Sequence, residues 1–412
     1  MLDIQLIRDN PDKVKDGVQK KGYDPKVVDR VLELDKKRRG LLQEVEKVRQ
    51  ERNEVAKKKD VKLGQQVKEE LKKLEADLSK ATKDFEQTIY DIPNLPFDDV
   101  PVGKDESANK VLRKWGKPKK FDFKVRDHIE IGERLGIIDL KTAAKVSGTR
   151  FSYLKGDAAL LEFALVKLAF DTLVKKGFTP VVPPTMIRPD VFTKMARLGK
   201  NDKDDRYHLP KDDLYLVGSA EHTLGPLHMD ETIPEGKLPI RYAGFSTSFR
   251  REAGSYGKDT KGILRVHQFD KVEMESFTVP EDSTKEQELI VSIQEDLMQQ
   301  LGIPYQVIDI STGDMGAPNV KQIDIEAWMP GQGKYRETHT SDLMTDYQAR
   351  RLNTRVRRKD GSTEFVHMND ATALAIGRTI IAILENNQQK DGSVVIPEVL
   401  RPYMGKDKIS PK

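Results

Sequence analysis

The sequence predicts an α+β protein in which a long antiparallel helical hairpin precedes a separate domain built around an antiparallel β-sheet. A heptad pattern of apolar residues runs through the N-terminal part of the chain, and short strand-like runs alternate with apolar helical segments after it. Proline-rich breaks separate the two patterns. We place the boundary there, which gives domains 1–104 and 105–412.

The N-terminal pattern predicts two helices that pack along a shared seam between about residues 27 and 90. Seam residues recur alternately four and three positions apart, as in a coiled coil. The segment 57–60, followed by Gly64, is the predicted tip, so the helices run antiparallel. The seam positions are Val27, Val31, Leu34, Arg38, Leu41, Val45, Val48, Arg52 and Val55, then Val67, Leu71, Leu74, Leu78, Ala81, Phe85 and Thr88. Two arginines interrupt this seam, and its charged flanks fit either a solvated structural hairpin or a binding arm.

Composition restricts the class of protein. The 412 residues are enough for two domains. The 71 basic and 67 acidic residues give a net charge of only +4, so any nucleic-acid binding would depend on local patches. The chain has no cysteine, which excludes disulfides and thiolate metal sites and fits a reducing cytoplasm. Neither a signal-peptide pattern nor a membrane-length apolar run occurs, so we expect a soluble cytoplasmic protein without a membrane partner.

The second domain is predicted to combine short strands with longer helices. An apolar helical pattern covers residues 157–176, and Gly-rich turns separate several of the strand-like runs. The predicted strands are 180–183, 214–217, 271–279, 305–310 and 323–328. This order favours an antiparallel sheet with packed helices.

The segment SFRREAGSYGKDTKGILRVHQFDKVEMESF carries the residues best suited to bind a nucleotide. Arg250 and Glu252 lie two positions apart, so they would share one face of an extended strand. Arg265, Phe269 and Glu273 are spaced four apart and would share a face of the following strand. Guanidinium groups grip phosphates, and an aromatic face stacks on a base. From the residues alone, a nucleotide site and a surface ladder of ion pairs both stay open.

These motifs resemble those of the class II aminoacyl-tRNA synthetases, and in particular the seryl-tRNA synthetases. FRRE and RVHQF are similar to motif 2, and the Gly-rich loop 253–264 between them meets the tRNA acceptor end in that family. KKGFTPVVPPTMIRP at 175–189 resembles motif 1, and ALAIGRTIIAILENNQ at 373–388 resembles motif 3. The hairpin resembles the family's tRNA-binding arm. The resemblance runs from about residue 1 to 405 and implies the class II catalytic fold.

For ATP, the resemblance implies a role for each matching residue. Arg250 would hold the α-phosphate, and Glu252 would read the adenine amino group. Phe269 and Arg378 would sandwich the adenine, and Arg265 would hold the outer phosphates. Arg250 and Arg378 are therefore the implied catalytic residues.

For metal, the resemblance implies Mg²⁺ bound by Glu337 with Thr340 beside it, an oxygen pair that suits this ion. The histidines have no convincing metal-ligand spacing, and cysteine is absent. We therefore do not expect a zinc-dependent form of the serine site.

For the amino acid, the resemblance implies that Ser219 and Glu221 occupy the family's Thr-x-Glu position. Glu273 would contact the substrate serine, and Thr372 would supply a hydroxyl at the serine site. A pocket that hydrogen-bonds the substrate hydroxyl rejects alanine because buried polar groups would be left unpaired.

Three positions depart from the family's pattern, and the first is Ser219, which replaces the usual threonine and keeps its hydroxyl. His339 stands in a stretch where many members have serine, and Asp370 stands where many have asparagine. Either Asn369 replaces that asparagine through a local shift, or Asp370 serves as a hydrogen-bond acceptor.

The implied activity is ATP-dependent formation of seryl-adenylate, followed by transfer to tRNA(Ser). Members of the family also serylate the selenocysteine tRNA, tRNA(Sec), where it exists. Motif 1 implies a homodimer in which the arm of one subunit guides tRNA to the site of the other. Two alternatives are a relative that loads a carrier protein, which would lack the arm, and a non-catalytic synthetase-like scaffold, which would have eroded motif arginines.

Overall fold

The computed structural model describes residues 1–199, 202–253 and 261–411. These residues form two compact units, Met1–Pro96 and Phe97–Lys412. Within the described ranges, no helix has the length and apolar character needed to cross a membrane.

The division between the units falls earlier than the boundary predicted at residue 105. The intervening segment is hydrogen-bonded to the second unit. The Phe97 N–H donates to the carbonyl of Val320, and the Thr312 N–H donates to the carbonyl of Pro101. The proline-rich stretch therefore begins the second unit.

The first unit contains the helical hairpin that the heptad pattern predicts. Its third helix has 33 residues, which corresponds to about 50 Å. At the hairpin tip, Lys59 is left-handed and the carboxylate of Asp60 accepts from the Leu63 N–H, which caps the next helix. The helices are α1 (Ile4–Asp9), α2 (Pro11–Lys20), α3 (Lys26–Lys58) and α4 (Val61–Tyr90).

The seam of the hairpin is apolar along most of its length and is interrupted by charge around Asp35. Toward the tip it comprises Val45, Val48, Val55, Val67 and Leu71, all buried. Near the start of α3, Val28 is buried instead of the predicted Val27, and the carboxylate of Asp35 is buried where Leu34 was expected.

Asp35 is held by arginines from two helices. Its carboxylate accepts hydrogen bonds from Arg8 on α1 and from Arg38 and Arg39 on α3, at 2.8 to 3.2 Å. The Arg38 guanidinium also lies 4.6 Å from the centre of the Phe85 ring on α4. One seam arginine therefore joins the two helices, whereas Arg52 is exposed to solvent.

The second unit is built from short and long strands that alternate with helices, as predicted. Its strands are β1 (Lys110–Trp115), β2 (Ile138–Asp139), β3 (Tyr153–Leu154), β4 (Thr179–Val181), β5 (Met186–Ile187), β6 (His208–Leu209), β7 (Leu214–Leu216), β8 (Thr232–Pro234), β9 (Ile240–Phe249), β10 (Gln268–Thr278), β11 (Tyr305–Asp309), β12 (Lys321–Met329), β13 (Lys334–Thr345), β14 (Arg355–Arg357), β15 (Thr363–Phe365), β16 (His367–Ala375), β17 (Val394–Val395) and β18 (Lys408–Ile409). Its helices are α5 (His128–Leu135), α6 (Leu140–Ser147), α7 (Asp157–Lys175), α8 (Pro189–Lys194), α9 (Glu221–Leu224), α10 (Ser283–Gln300), α11 (Tyr347–Leu352), α12 (Ile376–Asn386) and α13 (Arg401–Met404).

The main sheet of this unit has eight strands in the order β1-β11-β12-β13-β16-β10-β9-β4. Every neighbouring pair is antiparallel except β4 and β9, which are parallel. The prediction of an α+β fold with an antiparallel sheet is confirmed. One face of the sheet packs against α7, α10 and α12 in the largest apolar core. Alternate residues of the central strands point to the opposite face, which carries the candidate site.

Candidate active site

The polar face of the central strands brings carboxylates and hydroxyls into lateral rows. In one row, Glu273 of β10 pairs with Thr372 of β16. In the next row on the same face, Asp370 of β16 lies between Glu275 of β10 and Asp342 of β13. The register of three antiparallel strands therefore concentrates acidic groups that are far apart in the sequence.

A cavity of about 300 Å³ opens over this face of the sheet. Of the twelve residues that the resemblance assigns to ATP, Mg²⁺ or serine, Ser219 and Glu273 are not among the lining residues, and both hydrogen-bond to residues that are. The nominated residues that line the cavity are Glu221, Arg250, Glu252, Arg265, Phe269, Glu337, Thr340, Asp370, Thr372 and Arg378.

Arg250 lies just beyond β9, which ends at Phe249. Its Nε donates to the carbonyl of Gly218 at 3.1 Å, and its guanidinium lies 5.3 Å from the centre of the Phe269 ring. The guanidinium and the ring are therefore close enough to act on a single ligand.

The prediction that Glu252 continues the strand of Arg250 is wrong. Glu252 has a φ of 55°, which is left-handed and turns the chain out of the sheet. Arg265 also lies outside a strand, because β10 begins at Gln268. The two side chains nevertheless meet, with Arg265 Nε 3.3 Å from the Glu252 carboxylate. Residues 254–260 of the Gly-rich loop, including Gly254 and Gly257, lie outside the described residues.

Arg378 lies in the first turn of α12, as the motif predicts. Its guanidinium donates to the backbone carbonyl of Glu337 at 2.9 Å and lies 3.0 Å from the Glu337 carboxylate. The Thr340 hydroxyl is 3.4 Å from that same carboxylate. Desolvation at the cavity wall acts to raise the pKa of Glu337, but the charges of Arg378 and Arg250 outweigh it and lower the pKa. Glu337 therefore presents an ionised carboxylate to the cavity.

Two of the three departures from the family pattern, those at positions 339 and 370, have different structural outcomes. His339 is buried, its Nδ1 lies 2.8 Å from the Thr338 hydroxyl, and burial lowers its pKa to about 4, so it is a neutral core residue. Asn369 is buried and its amide contacts the carbonyl of Ser283. Asp370, and not Asn369, lines the cavity.

The residues nominated to bind the amino-acid substrate form a connected polar cluster. The Ser219 hydroxyl lies 3.0 Å from Oε1 of Glu273 and 3.3 Å from Oε2 of Glu221. The Thr372 hydroxyl donates to the same Glu273 oxygen at 3.1 Å, and the Lys271 ammonium contacts it as well. Burial raises the pKa of Glu273 against the opposing charge of Lys271.

Arg197, which follows α8, is a site residue that sequence reasoning missed. Its guanidinium lies 3.0 Å from Glu221, 2.9 Å from Asp370 and 3.2 Å from Asp342. Nothing local in the sequence marks it, because all its partners come from distant segments. In contrast, Lys271 was detectable, since it shares the period-two face of β10 with Glu273.

Comparison with known proteins places this geometry in context. Residues 205–387 match the model of the class II tRNA synthetase core domain for G, H, P, S and T, and residues 1–96 match the seryl-tRNA synthetase N-terminal domain. A serine--tRNA ligase of Acidothermus cellulolyticus is 44% identical, with full coverage of both chains. The seryl-tRNA synthetase of Pyrococcus horikoshii complexed with ATP superposes with a TM-score of 0.94 at 41% identity, again with full coverage of both chains.

A second solved structure extends the comparison. The cytoplasmic serine-tRNA ligase of Naegleria fowleri in complex with AMP gives a TM-score of 0.90 at 33% identity, with 100% of this chain and 99% of that chain covered. The sheet topology and the matched core domain define a class II aminoacyl-tRNA synthetase fold. Because both units and the full length match, the chain belongs to the seryl-tRNA synthetase family.

Proposed function

We propose that this chain is a serine--tRNA ligase, which activates L-serine with ATP and transfers the seryl group to tRNA(Ser). The observation that carries the proposal is one cavity in which an arginine and an aromatic ring lie beside a hydroxyl and carboxylate cluster. Its relatives are named for this reaction, and two of the solved structures are complexes with ATP and AMP.

In this proposal, ATP lies between Arg250 and Arg378, the two arginines that would be catalytic. Arg250 holds the α-phosphate, and Arg265 holds the outer phosphates. Phe269 and Arg378 enclose the adenine, and Glu252 accepts a hydrogen bond from its amino group. The contact between the Arg250 guanidinium and the Phe269 ring supports this arrangement, since both groups reach one side of the cavity.

The proposed reaction has two steps, and neither needs a protein nucleophile. A carboxylate oxygen of serine attacks the α-phosphorus, the bond to the β,γ-phosphates breaks, and pyrophosphate leaves with its electron pair. A terminal ribose hydroxyl of the tRNA then attacks the seryl carbonyl and displaces AMP. Alignment of the reactants can lower the barrier by roughly 7–11 kcal/mol. Arg250 stabilises the charge that develops at phosphorus.

Mg²⁺ fits the oxygen pair of Glu337 and Thr340. Both side chains line the cavity, and the Glu337 carboxylate is ionised because of the cations beside it. Magnesium is commonly held by one or two carboxylates together with substrate phosphates and water, so a small protein ligand set is sufficient. When bound, the ion would neutralise phosphate charge, while Arg378 keeps the Glu337 carboxylate in place.

Serine would be selected by the cluster around Glu273. The substrate hydroxyl reaches Glu273 and Thr372, while Ser219 and Glu221 complete the pocket together with Asp370. Alanine would leave these buried polar groups without a partner. Sites of this kind reject the analogue that lacks the hydroxyl by about 10⁴–10⁵.

The hairpin of α3 and α4 is the proposed tRNA arm. Its surface is rich in lysine and arginine along two long helices, which suits contact with RNA phosphates. The proposed tRNA substrates are tRNA(Ser) and, where it exists, tRNA(Sec). Such a substrate and a cysteine-free composition fit a cytoplasmic protein.

A homodimer is the proposed assembly. Motif 1 covers the end of α7 and β4, where Val174 (51%) and Val182 (83%) are exposed, and Leu160 (52%) and Phe163 (66%) are exposed in the first turns of α7. Large exposed apolar side chains of this kind suit a protein interface. In the dimer, the arm of one subunit would guide tRNA to the active site of the other.

Amino-acid-dependent ATP–pyrophosphate exchange tests the first step across all amino acids. We expect exchange with serine, and exchange with no amino acid or with threonine alone would contradict the proposal.

A variant with a shortened arm tests the second step. Residues 50–74 are replaced with a glycine turn, so that the arm ends at Arg49 and Glu75, which are ion-paired across the two helices at 2.7 Å. This variant should retain exchange and lose efficient transfer to tRNA(Ser). Undiminished transfer would refute the role of the arm, and transfer to a carrier protein instead would favour the alternative relative.

A further inference from the structure

The row of carboxylates under the cavity poses an electrostatic problem. Asp342, Asp370 and Glu275 lie side by side on three adjacent strands, and all three are buried. Like charges directly opposite each other on neighbouring strands destabilise a sheet. Among the described residues, neither carboxyl oxygen of Glu275 has a hydrogen-bond partner. Proton uptake, indicated by the raised pKa values of Glu275 and Asp370, and a nearby cation are the two ways to relieve this repulsion.

Arg197 is that cation. Its Nη2 lies within 3.2 Å of both Asp342 and Asp370, and its Nε lies 3.0 Å from Glu221. Its side chain is only 16% exposed. Nη2 of this planar, forked guanidinium hydrogen-bonds to both aspartates and Nε is ion-paired with Glu221, so one residue joins carboxylates that come from three elements.

The carboxylates that contact Arg197 differ in the direction of their pKa shifts. Burial acts to raise the pKa of Glu221, but the charge of Arg197 outweighs it and holds that pKa well below the usual range. Burial and the charge of Glu221 raise the pKa of Asp370 well above its usual range, against Arg197. Arg197 thus keeps Glu221 ionised at the wall of the cavity and also pairs with Asp370.

We propose that Arg197 is a positioning residue for the amino-acid substrate, acting through Glu221 and Asp370. The three carboxylates already occupy its guanidinium, so Arg197 does not bind the substrate carboxylate. It aligns Glu221 and Asp370 so that they receive the ammonium group of the amino acid. The aspartate at position 370 and Arg197 form one unit, and this inference rests on the proposed function.

The kinetic constants of variants in serine-dependent ATP–pyrophosphate exchange test this unit. Arg197→Gln should raise the KM for serine by about tenfold or more, because it leaves buried carboxylates without their cation. The KM for ATP should stay within about twofold, since among the described residues the ion pairs of the Arg197 guanidinium go to Glu221, Asp342 and Asp370 and not to the groups proposed to bind ATP. Arg197→Lys, which keeps the charge but lacks the fork, should recover part of the loss. In R197Q/D370N, the increase in KM for serine should be smaller than the product of the two single increases.

Arg241→Gln is the matched control. Arg241 pairs with the buried carboxylate of Glu286 at 2.6 and 2.7 Å, and neither residue lines the cavity. It should lower the melting temperature without changing the KM for serine.

Three results would overturn the inference: equal increases in the KM for serine and for ATP, multiplicative effects in R197Q/D370N, or an Arg241→Gln effect on serine as large as that of Arg197→Gln. Should Arg197→Gln fail to fold, the same comparison of KM values in Arg197→Lys decides. No serine-dependent exchange by the wild type would instead refute the proposed function.

Discussion

Thr372 donates a 3.1 Å hydrogen bond to the Glu273 carboxyl oxygen that the Ser219 hydroxyl reaches at 3.0 Å. Two hydroxyls from different segments therefore converge on one buried acceptor. A substrate hydroxyl entering this cluster would join an existing network, whereas a methyl group could not replace it.

Replacement of Thr372 by valine should reduce discrimination against alanine. The shape is kept and the hydroxyl is lost, so kcat/KM for serine should fall by about 10–100-fold, while that for alanine changes less. Pyrophosphate exchange with each amino acid measures the ratio. Thr354→Val is the control, because its buried hydroxyl donates to the carbonyl of His228 outside the cavity. An unchanged ratio of serine to alanine in Thr372→Val would remove Thr372 from the specificity network.

Glu337→Gln should increase the magnesium requirement of adenylate formation. The substitution removes a charged oxygen ligand and the partner of Arg378, so half-maximal exchange should need about tenfold more Mg²⁺. The KM for serine should change little. Glu326→Gln is a matched control, since Glu326 lies opposite Glu337 on β12 but hydrogen-bonds to Gln306 and does not line the cavity. Identical magnesium titrations for the two variants would contradict the assignment of Glu337.

The sequence predicted those parts of the protein that depend on local periodicity. The heptad spacing predicted the hairpin because it places residues such as Val45 and Leu71 on one side of each helix, and these sides are buried against each other. The nominated residues Phe269 and Glu273 lie on one face of β10 because strands alternate every two residues.

The sequence failed where a tertiary partner decides the conformation. Glu252 leaves the extended conformation at a turn that no propensity rule marks, yet it still pairs with Arg265. Asp35 lies where an apolar residue was expected, because arginines on α1 and α3 neutralise it. The place of Arg197 in the site could not be predicted, because its carboxylate partners become neighbours only when the sheet forms.

Asp35→Asn should destabilise the first unit. The buried carboxylate loses its charge-assisted bonds with Arg8, Arg38 and Arg39, at a cost of roughly 1–3 kcal/mol. Amide hydrogen exchange along α3 measures this unit separately from the other. Asp29→Asn is the control, because the Asp29 carboxylate pairs with Lys15 while 62% exposed, and its loss should cost less than about 1 kcal/mol.

The stabilisation by Asp35 should also depend on pH. Burial acts to raise the pKa of Asp35, but the hydrogen bonds from Arg8 and Arg38 outweigh it and lower the pKa. A group with a lowered folded-state pKa stabilises fully above its unfolded pKa, about 3.9, and loses that effect as pH falls through the folded value. The difference between wild type and Asp35→Asn should therefore shrink below about pH 4. A constant difference across that range would show that the carboxylate charge is not its source.

The raised pKa of Glu162 on α7 predicts that the stability of the second unit depends on pH in the opposite direction to that of the first. Burial, reinforced by the neighbouring Asp270 carboxyl on β10, raises the pKa of Glu162 to about 8. The folded chain therefore keeps a proton that the unfolded chain releases near pH 4.3, so this group makes stability fall as pH rises from about 4.3 to about 8.

Glu162→Gln should remove this slope, because glutamine retains a hydrogen-bonding side chain that does not titrate. Urea unfolding at about pH 5, 6, 7 and 8 should show the variant gaining stability relative to wild type as pH rises. Asp270→Asn should remove only the part of the slope that comes from the second carboxyl, since burial of Glu162 persists. Parallel pH profiles for wild type and Glu162→Gln would mean that Glu162 is ionised in the folded protein, and that burial at the junction of α7 and β10 is offset by a cation or by water.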